Sequence, residues 1–241
     1  MTDDLTNVLQ QWPYRRDDFT AREVVAEDGR PLLQIRLELG ILQLEVEGRP
    51  DGLRPGGFGT VLEGVGDSPL TAETAKSLRD EIIQFEYRAQ TLLYLGEHAR
   101  AARDADHMLR AARMLHGTPP EGLDRDATVA LLLRSIAIRA RAAAEASLAG
   151  SRSDLAKLAL DGGLTELRAL LSDDEFEQCN EVHLLSGMKD LLIPRLPASQ
   201  RVELQDRIRE AVAAENYELA AILRDELRMM SSPRHPGGHA T

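Results

Sequence analysis

The sequence predicts a mainly α-helical protein that begins with a small antiparallel β-meander, which is an α+β fold class. Two observations support this prediction. Hydrophobic residues make up 43% of the 241 residues but aromatic residues only 4%, a balance typical of helices that pack small aliphatic side chains. Apolar and polar residues alternate only within residues 19–47, whereas apolar residues recur every three or four positions from residue 69 onward.

The alternating region predicts strands joined by tight turns. An Asp-Gly pair at residues 28–29 is a strong hairpin signal, because both residue types accept the positive φ that such turns need. The apolar phase then shifts at Gly40. Two structures fit this shift: a two-residue turn at Gly40 and Ile41, which places Leu39 opposite Leu42, or a β-bulge at Gly40 within one long strand. We favour the turn.

A connector rich in glycine and proline follows at residues 49–59, and helices begin after it. Ser68 followed by Pro69 predicts a helix start, with the serine as cap and the proline in the first helical position. The apolar stripe of this first helix breaks at Gly96 and resumes in a second helix that ends near Leu115.

Residues 87–109, YRAQTLLYLGEHARAARDADHML, resemble a tetratricopeptide repeat. In this resemblance Leu95 and Gly96 form the tight turn, and the small residues Ala99, Ala102 and Ala105 let the second helix nest against the first. The resemblance implies paired antiparallel helices in the middle of the chain.

Two further helices are predicted on either side of Gly150, and one more at residues 176–192. Gly162 and Gly163 lie inside the second of these helices, where each glycine weakens a helix by about 1 kcal/mol relative to alanine. We therefore expect a kink or an unusually close helix contact there.

Residues 204–227, LQDRIREAVAAENYELAAILRDEL, predict a helical hairpin. Apolar residues recur at helical spacing on both sides of a break at Glu215 and Asn216. Asn216 can cap the second helix, because its side chain can accept a hydrogen bond from a first-turn amide. Periodicity alone also fits an ordinary hairpin that covers the protein's own core.

The same segment resembles the UvrB/UvrC (UVR) motif, and the matching positions are Leu204, Ile208, Ala211, Val212, Glu215, Asn216, Tyr217, Glu218, Ala220, Ala221, Leu223, Arg224, Asp225 and Leu227. This resemblance implies a short antiparallel hairpin that docks onto another hairpin of its kind, and so a protein partner rather than catalysis. The expected partner-binding residues are Tyr217, Glu218, Ala220, Ala221, Arg224 and Asp225. Tyr217 is expected to anchor packing.

The order of meander, helices and hairpin, with the strand run LLQIRLELGILQLEVEGRPDG, is similar to that of a group of bacterial UVR-motif proteins. The patterns divide the chain into a meander and loop at residues 1–66, a tetratricopeptide-like helical region at 67–195, the hairpin at 196–230 and a disordered tail at 231–241.

Charge and composition restrict the function classes. The formal net charge of −11 argues against a protein whose main task is to hold a phosphate backbone. Arginine runs at residues 100–103 and 134–141 are interpreted as solvated helix faces, with a peptide-binding groove as the alternative. The sequence shows neither a positively charged leader before an apolar run nor about 20 consecutive apolar residues, so we expect a cytoplasmic protein without a membrane contact.

No catalytic motif, cofactor site or metal site is predicted. The sequence has no GxxxxGKS/T loop for nucleotide phosphates. Its only cysteine, Cys179, lies four residues before His183, and Asp104 lies three residues before His107. Each pair lacks the three or four ligands that a stable metal site requires.

We therefore expect a non-enzymatic interaction scaffold or adaptor, without a cofactor, that docks a bacterial partner or a second copy through its UVR hairpin. The resemblance implies UvrB, UvrC or a Clp-type unfoldase as partners, and a link to nucleotide-excision repair or to proteolysis. The alternative is a repair accessory protein that binds nucleic acid directly, which the net charge disfavours.

Overall fold

The computed structural model describes residues 5–66, 69–117, 124–192, 206–210, 212 and 223–224. The chain forms two compact units, Met1–Met188 and Lys189–Thr241. It is mostly helical with a small antiparallel sheet near the amino terminus, which confirms the predicted fold class. The predicted boundaries at residues 66, 195 and 230 stay predictions, and the tail at 231–241 lies outside the described residues. No described helix is long and apolar enough to cross a membrane.

The strands are β1 (Ala21–Val25), β2 (Pro31–Leu37) and β3 (Gly40–Glu45). The α-helices are α1 (Thr6–Gln11), α2 (Val61–Val65), α3 (Ala72–Tyr94), α4 (His98–Gly117), α5 (Arg125–Ala149), α6 (Ser153–Arg168), α7 (Asp173–Gln178) and α8 (Asn180–Leu192). A 3-10 turn occupies Pro55–Gly57. The side chains that cap helices by accepting a first-turn amide are Thr60, Thr71, Asp124 and Ser172.

The sheet is an antiparallel meander in the order β1-β2-β3, as predicted. In the first hairpin Gly29 has a φ of +86°, and the Asp28 carboxylate accepts a hydrogen bond from the Arg30 amide at 3.1 Å. Leu33 and Ile35 on the central strand are almost fully buried. The alternation of the sequence therefore predicted the meander and its buried positions Leu33 and Ile35 correctly, but Leu37 and Leu39, which were predicted on the same face, are exposed.

The second turn of the meander lies at residues 38–39, so the predicted turn at residues 40–41 and the alternative bulge are both wrong. The observed register places buried Leu33 opposite Leu44. The predicted register would have placed Leu33 opposite Gly48, where a φ of +70° ends the extended chain. The observed turn keeps the central buried leucine within a paired strand.

Helices α3 to α6 are long, and each packs against the next in the sequence. The first begins after Thr71, whose side chain accepts the Thr74 amide at 3.1 Å, so the predicted start at Pro69 is wrong. The Thr71 hydroxyl accepts a hydrogen bond from an otherwise unpaired amide of the first turn. The Pro69 side chain has no acceptor for this bond. The predicted break at Gly96 is confirmed, with a φ of +79°. Helices α3 and α4 thus form the predicted helical hairpin.

The close contact expected near the two glycines of α6 is confirmed at Gly163. A Cβ atom at this position would lie 2.5 Å from the Ala140 Cβ and 2.9 Å from the Leu185 Cδ1. Both distances are shorter than van der Waals contact, so only glycine lets α5 and α8 approach α6 this closely.

Two predictions about chain segments between the long helices are wrong. The loop predicted between the sheet and residue 66 contains a 3-10 turn and the short helix α2, whose first turn is capped by Thr60 through the Glu63 amide at 3.1 Å. The helix predicted at residues 176–192 is two helices, α7 and α8. They separate at Cys179, whose φ of −76° and ψ of 123° are extended rather than helical.

Candidate partner-binding site

The described stretches of the carboxyl-terminal unit are helical. Ile208 is half-buried between the exposed residues Arg207 and Arg209. Leu223 is buried, with 3% of its surface exposed, whereas the neighbouring Arg224 is exposed. In both stretches the apolar side chain is less exposed than its arginine neighbours, as on an amphipathic helix, although the apolar Val212 is 38% exposed.

Of the six residues expected to bind a partner, only Arg224 lies within the described residues. Its exposure leaves the guanidinium accessible to a carboxylate of another protein. The other five lie outside the described residues: Tyr217, Glu218, Ala220, Ala221 and Asp225. Their role in docking, like that of Arg224, stays a prediction.

A cluster of buried charged residues lies between the sheet and helices α3 and α4, and Arg88 is at its centre. The Arg88 guanidinium donates to both Asp104 carboxylate oxygens, at 2.7 and 2.8 Å. Its remaining nitrogen donates to the Glu45 and Gly48 carbonyl oxygens at 2.9 and 2.8 Å. Arg88 therefore connects both helices to the chain that leaves the sheet.

Glu81 is the second member of this cluster and is fully buried. Its carboxylate accepts from the Val61 and Leu62 amides at 2.6 and 3.2 Å, which satisfies the amino terminus of α2. The same carboxylate lies 2.9 Å from the His107 Nε2. The His107 ring stacks on Phe85, with 4.0 Å between the ring centroids. We call Glu81, Arg88, Asp104 and His107 the buried polar cluster.

The residues considered as metal ligands have other partners. Asp104 bonds Arg88, and His107 bonds Glu81. The Cys179 Sγ lies 3.2 Å from a Glu181 carboxylate oxygen, and burial raises the pKa of the thiol. Among the described residues, no three His, Cys, Asp or Glu side chains are grouped in a way that could hold a metal ion.

The opposite face of α4 forms an open groove of about 600 Å³ with α5, which we call the arginine groove. Its lining includes Ala99, Ala102, Arg103, Arg110, Arg113 and Arg139. Arg103 and Arg139 belong to the arginine runs of the sequence, whereas Arg110 and Arg113 were not predicted to join them. The signal was present, because residues 103, 110 and 113 are separated by seven and three positions and so share one helix face.

The family model described as the UvrB/uvrC motif matches residues 200–232, the part of the chain that includes the buried Leu223 and the exposed Arg224. These residues carry a UVR motif. No curated protein and no solved structure matches the chain. The motif confirms the predicted resemblance at the carboxyl terminus, and it supports a protein partner in general terms.

Proposed function

We propose that this chain is a non-enzymatic adaptor that docks a protein partner through the UVR motif at residues 200–232. The observation that carries this proposal is the match of this segment to the UvrB/uvrC motif. Two adjacent residues of this segment support the proposal, since Leu223 is buried and Arg224 is exposed. An amphipathic helix of this kind offers a charged outer face to a partner while its apolar face remains covered.

The non-enzymatic part of the proposal is supported by the positions of the buried charged groups. In the buried polar cluster, Glu81 and His107 bond each other, and Arg88 and Asp104 form a bidentate ion pair. Glu81 also accepts from a backbone amide of α2, and Arg88 also donates to a backbone carbonyl of β3. Groups with this many protein partners hold segments together, which is a sufficient reason for their burial.

The proposed partners are a UvrB-like or UvrC-like protein, a Clp-type unfoldase, or a second copy of this chain. The motif's description favours the first pair and a link to nucleotide-excision repair. All of these would be met in the cytoplasm, where we propose that the protein acts.

Binding of the immobilised full-length chain to purified UvrB, UvrC and a Clp-type unfoldase tests the proposal, with sedimentation velocity for self-association. We expect Arg224→Glu to weaken one of these associations about 10- to 100-fold, because a hydrogen bond between charged groups contributes about 1.5 to 3 kcal/mol. Arg125→Glu is the matched control, since Arg125 is also exposed and helical but lies outside residues 200–232.

Deletion of residues 196–230 should abolish the same association. The proposal is wrong if the deleted chain binds every partner as the full chain does, or if Arg224→Glu and Arg125→Glu behave alike. Circular dichroism of the two substitution variants should match that of the wild type, which separates loss of docking from loss of folding.

A further inference from the structure

The arginine groove concentrates positive charge in a protein whose net charge is −11. Arg103, Arg110 and Arg113 project from one face of α4, and Arg139 of α5 stands beside them. Ala99, Ala102 and Leu109 form the apolar part of its lining. A segment that entered the groove would meet several guanidinium groups and an apolar floor together.

The charges in this groove are only partly neutralised. Arg113 donates to one oxygen of Glu166 at 2.7 Å, and Arg139 bonds the other oxygen, so two guanidinium groups share one carboxylate. Arg103 bonds Glu47 at 3.3 Å, with both side chains mostly exposed. Within the described part of the chain, the Arg110 side chain has neither a hydrogen bond nor an ion pair.

Asp106 also lines the groove. The four arginines of the groove are therefore faced by three carboxylates, those of Asp106, Glu47 and Glu166. Arg110 and Arg113 are three residues apart on α4, a spacing that places their Cβ atoms about 5 to 6 Å apart. One incoming carboxylate can reach both, and the planar guanidinium binds a carboxylate through two parallel hydrogen bonds.

We propose that the arginine groove is a second docking site, which binds an acidic peptide segment of a partner protein. The segment's carboxylates bind Arg110 and Arg113, and its aliphatic portions lie over Ala99 and Ala102. This site is separate from the UVR motif in sequence and does not depend on it. An adaptor with both sites can hold two proteins, or hold one protein at two points and so bind it more tightly than either site alone.

The dimensions of the groove favour a peptide over a nucleic acid. From residue 99 to 113 the helix rises about 21 Å, at about 1.5 Å per residue. Duplex DNA carries one charge per roughly 1.7 Å of its axis, so a bound duplex would extend beyond the groove and bring many phosphates near an acidic protein. A short peptide with a few carboxylates contacts the groove alone.

Fluorescence anisotropy with a labelled octaglutamate peptide and the full-length chain at low salt tests this proposal. We expect Arg110→Glu to weaken binding by about 10-fold or more, because one charged hydrogen bond is lost and a repulsion is added. Glu166→Gln should tighten binding several-fold, since it removes the carboxylate that competes for Arg113 and Arg139. Circular dichroism verifies that the variants fold.

Lys76→Glu is the control for net charge. Lys76 is exposed on α3 and does not line the groove, so its reversal changes the same charge elsewhere and should leave octaglutamate binding nearly unchanged. Octaglutamine should not bind. An eight-nucleotide single strand, used in the same titration, measures nucleic-acid binding.

Three results would overturn the proposal. The wild type shows no binding of octaglutamate at low salt, or Lys76→Glu weakens binding as much as Arg110→Glu, or Glu166→Gln leaves it unchanged or weaker. Tighter binding of the oligonucleotide than of octaglutamate, with loss in Arg110→Glu, would instead assign the groove to single-stranded nucleic acid.

Discussion

The two faces of helix α4 carry charged residues in opposite ways. Asp104 and His107 on the inner face are buried, and each bonds a charged partner on α3 at 2.9 Å or less. Arg103 and Arg110 on the outer face are exposed, and one of them has no ion pair within the described residues. A buried charge must be matched because desolvation is costly, whereas an exposed charge can stay unmatched and available to a ligand.

Arg88→Met gives the largest effect and tests the structural role of the inner face. It removes the partner of buried Asp104 and the donor to two backbone carbonyls, while methionine retains much of the side-chain volume. We expect the free energy of unfolding to fall by about 3 to 5 kcal/mol, the usual cost of breaking a buried ion pair. Urea denaturation followed by circular dichroism measures the change.

Arg103→Met is the matched control, because Arg103 bonds a carboxylate too but is exposed. Its effect should stay within about 0.5 kcal/mol, as for most surface substitutions. If the free energy of unfolding falls equally in the two variants, the inner and outer faces of α4 do not differ in their structural role.

The buried polar cluster shows what the sequence could not predict. Arg88 and Asp104 are 16 residues apart, and Glu81 is 20 residues from the Val61 amide that it accepts from. Helical periodicity identifies apolar faces, but it interprets a charged residue as exposed unless its partner is known. These partners are brought together only by the tertiary fold, so the sequence shows Asp104 and His107 only as a pair three residues apart on one helix.

Local signals were reliable where a single residue determines the backbone. The hairpin at Gly29 and the break at Gly96 were predicted because each needs a positive φ, which glycine adopts without strain. At Gly40 the chain is extended, and the turn lies at the two preceding residues, of which Leu39 is 92% exposed. An exposed leucine in a turn breaks the usual pattern, so the register could not be predicted from alternation alone.

The candidate partner-binding residues were predictable only through their resemblance to a motif. Nothing in the spacing of Tyr217 or Arg224 distinguishes a docking hairpin from one that covers its own core. For the arginine groove the spacing was informative, but the pairing of Arg113 and Arg139 through Glu166 depends on the approach of α6 to α4 and α5. That approach is set by packing and not by local sequence.

A double-mutant cycle on Arg103 and Glu47 measures the strength of an ion pair on the outer face of α4, and its expected effect is of intermediate size. Because both side chains are largely exposed, we expect a coupling free energy of about 0.2 to 1 kcal/mol between Arg103→Met and Glu47→Gln. The coupling should decrease in 0.5 M salt, since exposed charges are screened. A coupling above about 2 kcal/mol, or one insensitive to salt, would show that the outer face is as structural as the inner face.

The smallest effect is expected at the start of α7, where Ser172 and Glu175 bond each other's backbone amides in a capping box. The Glu175 charge is exposed and acts only on this helix start. Glu175 accepts hydrogen bonds from the Ser172 amide and hydroxyl at 2.9 and 2.6 Å, and these bonds lower the pKa of the Glu175 carboxyl. A lowered folded-state pKa means that the stabilisation is present above the pKa of an unfolded glutamate, about 4.3, and is lost as the pH falls through the folded value. Glu175→Gln should therefore lower the melting temperature slightly at pH 7, and the difference from the wild type should shrink towards pH 3. A difference that stays constant or grows in acid would show that the Glu175 charge does not stabilise this helix start.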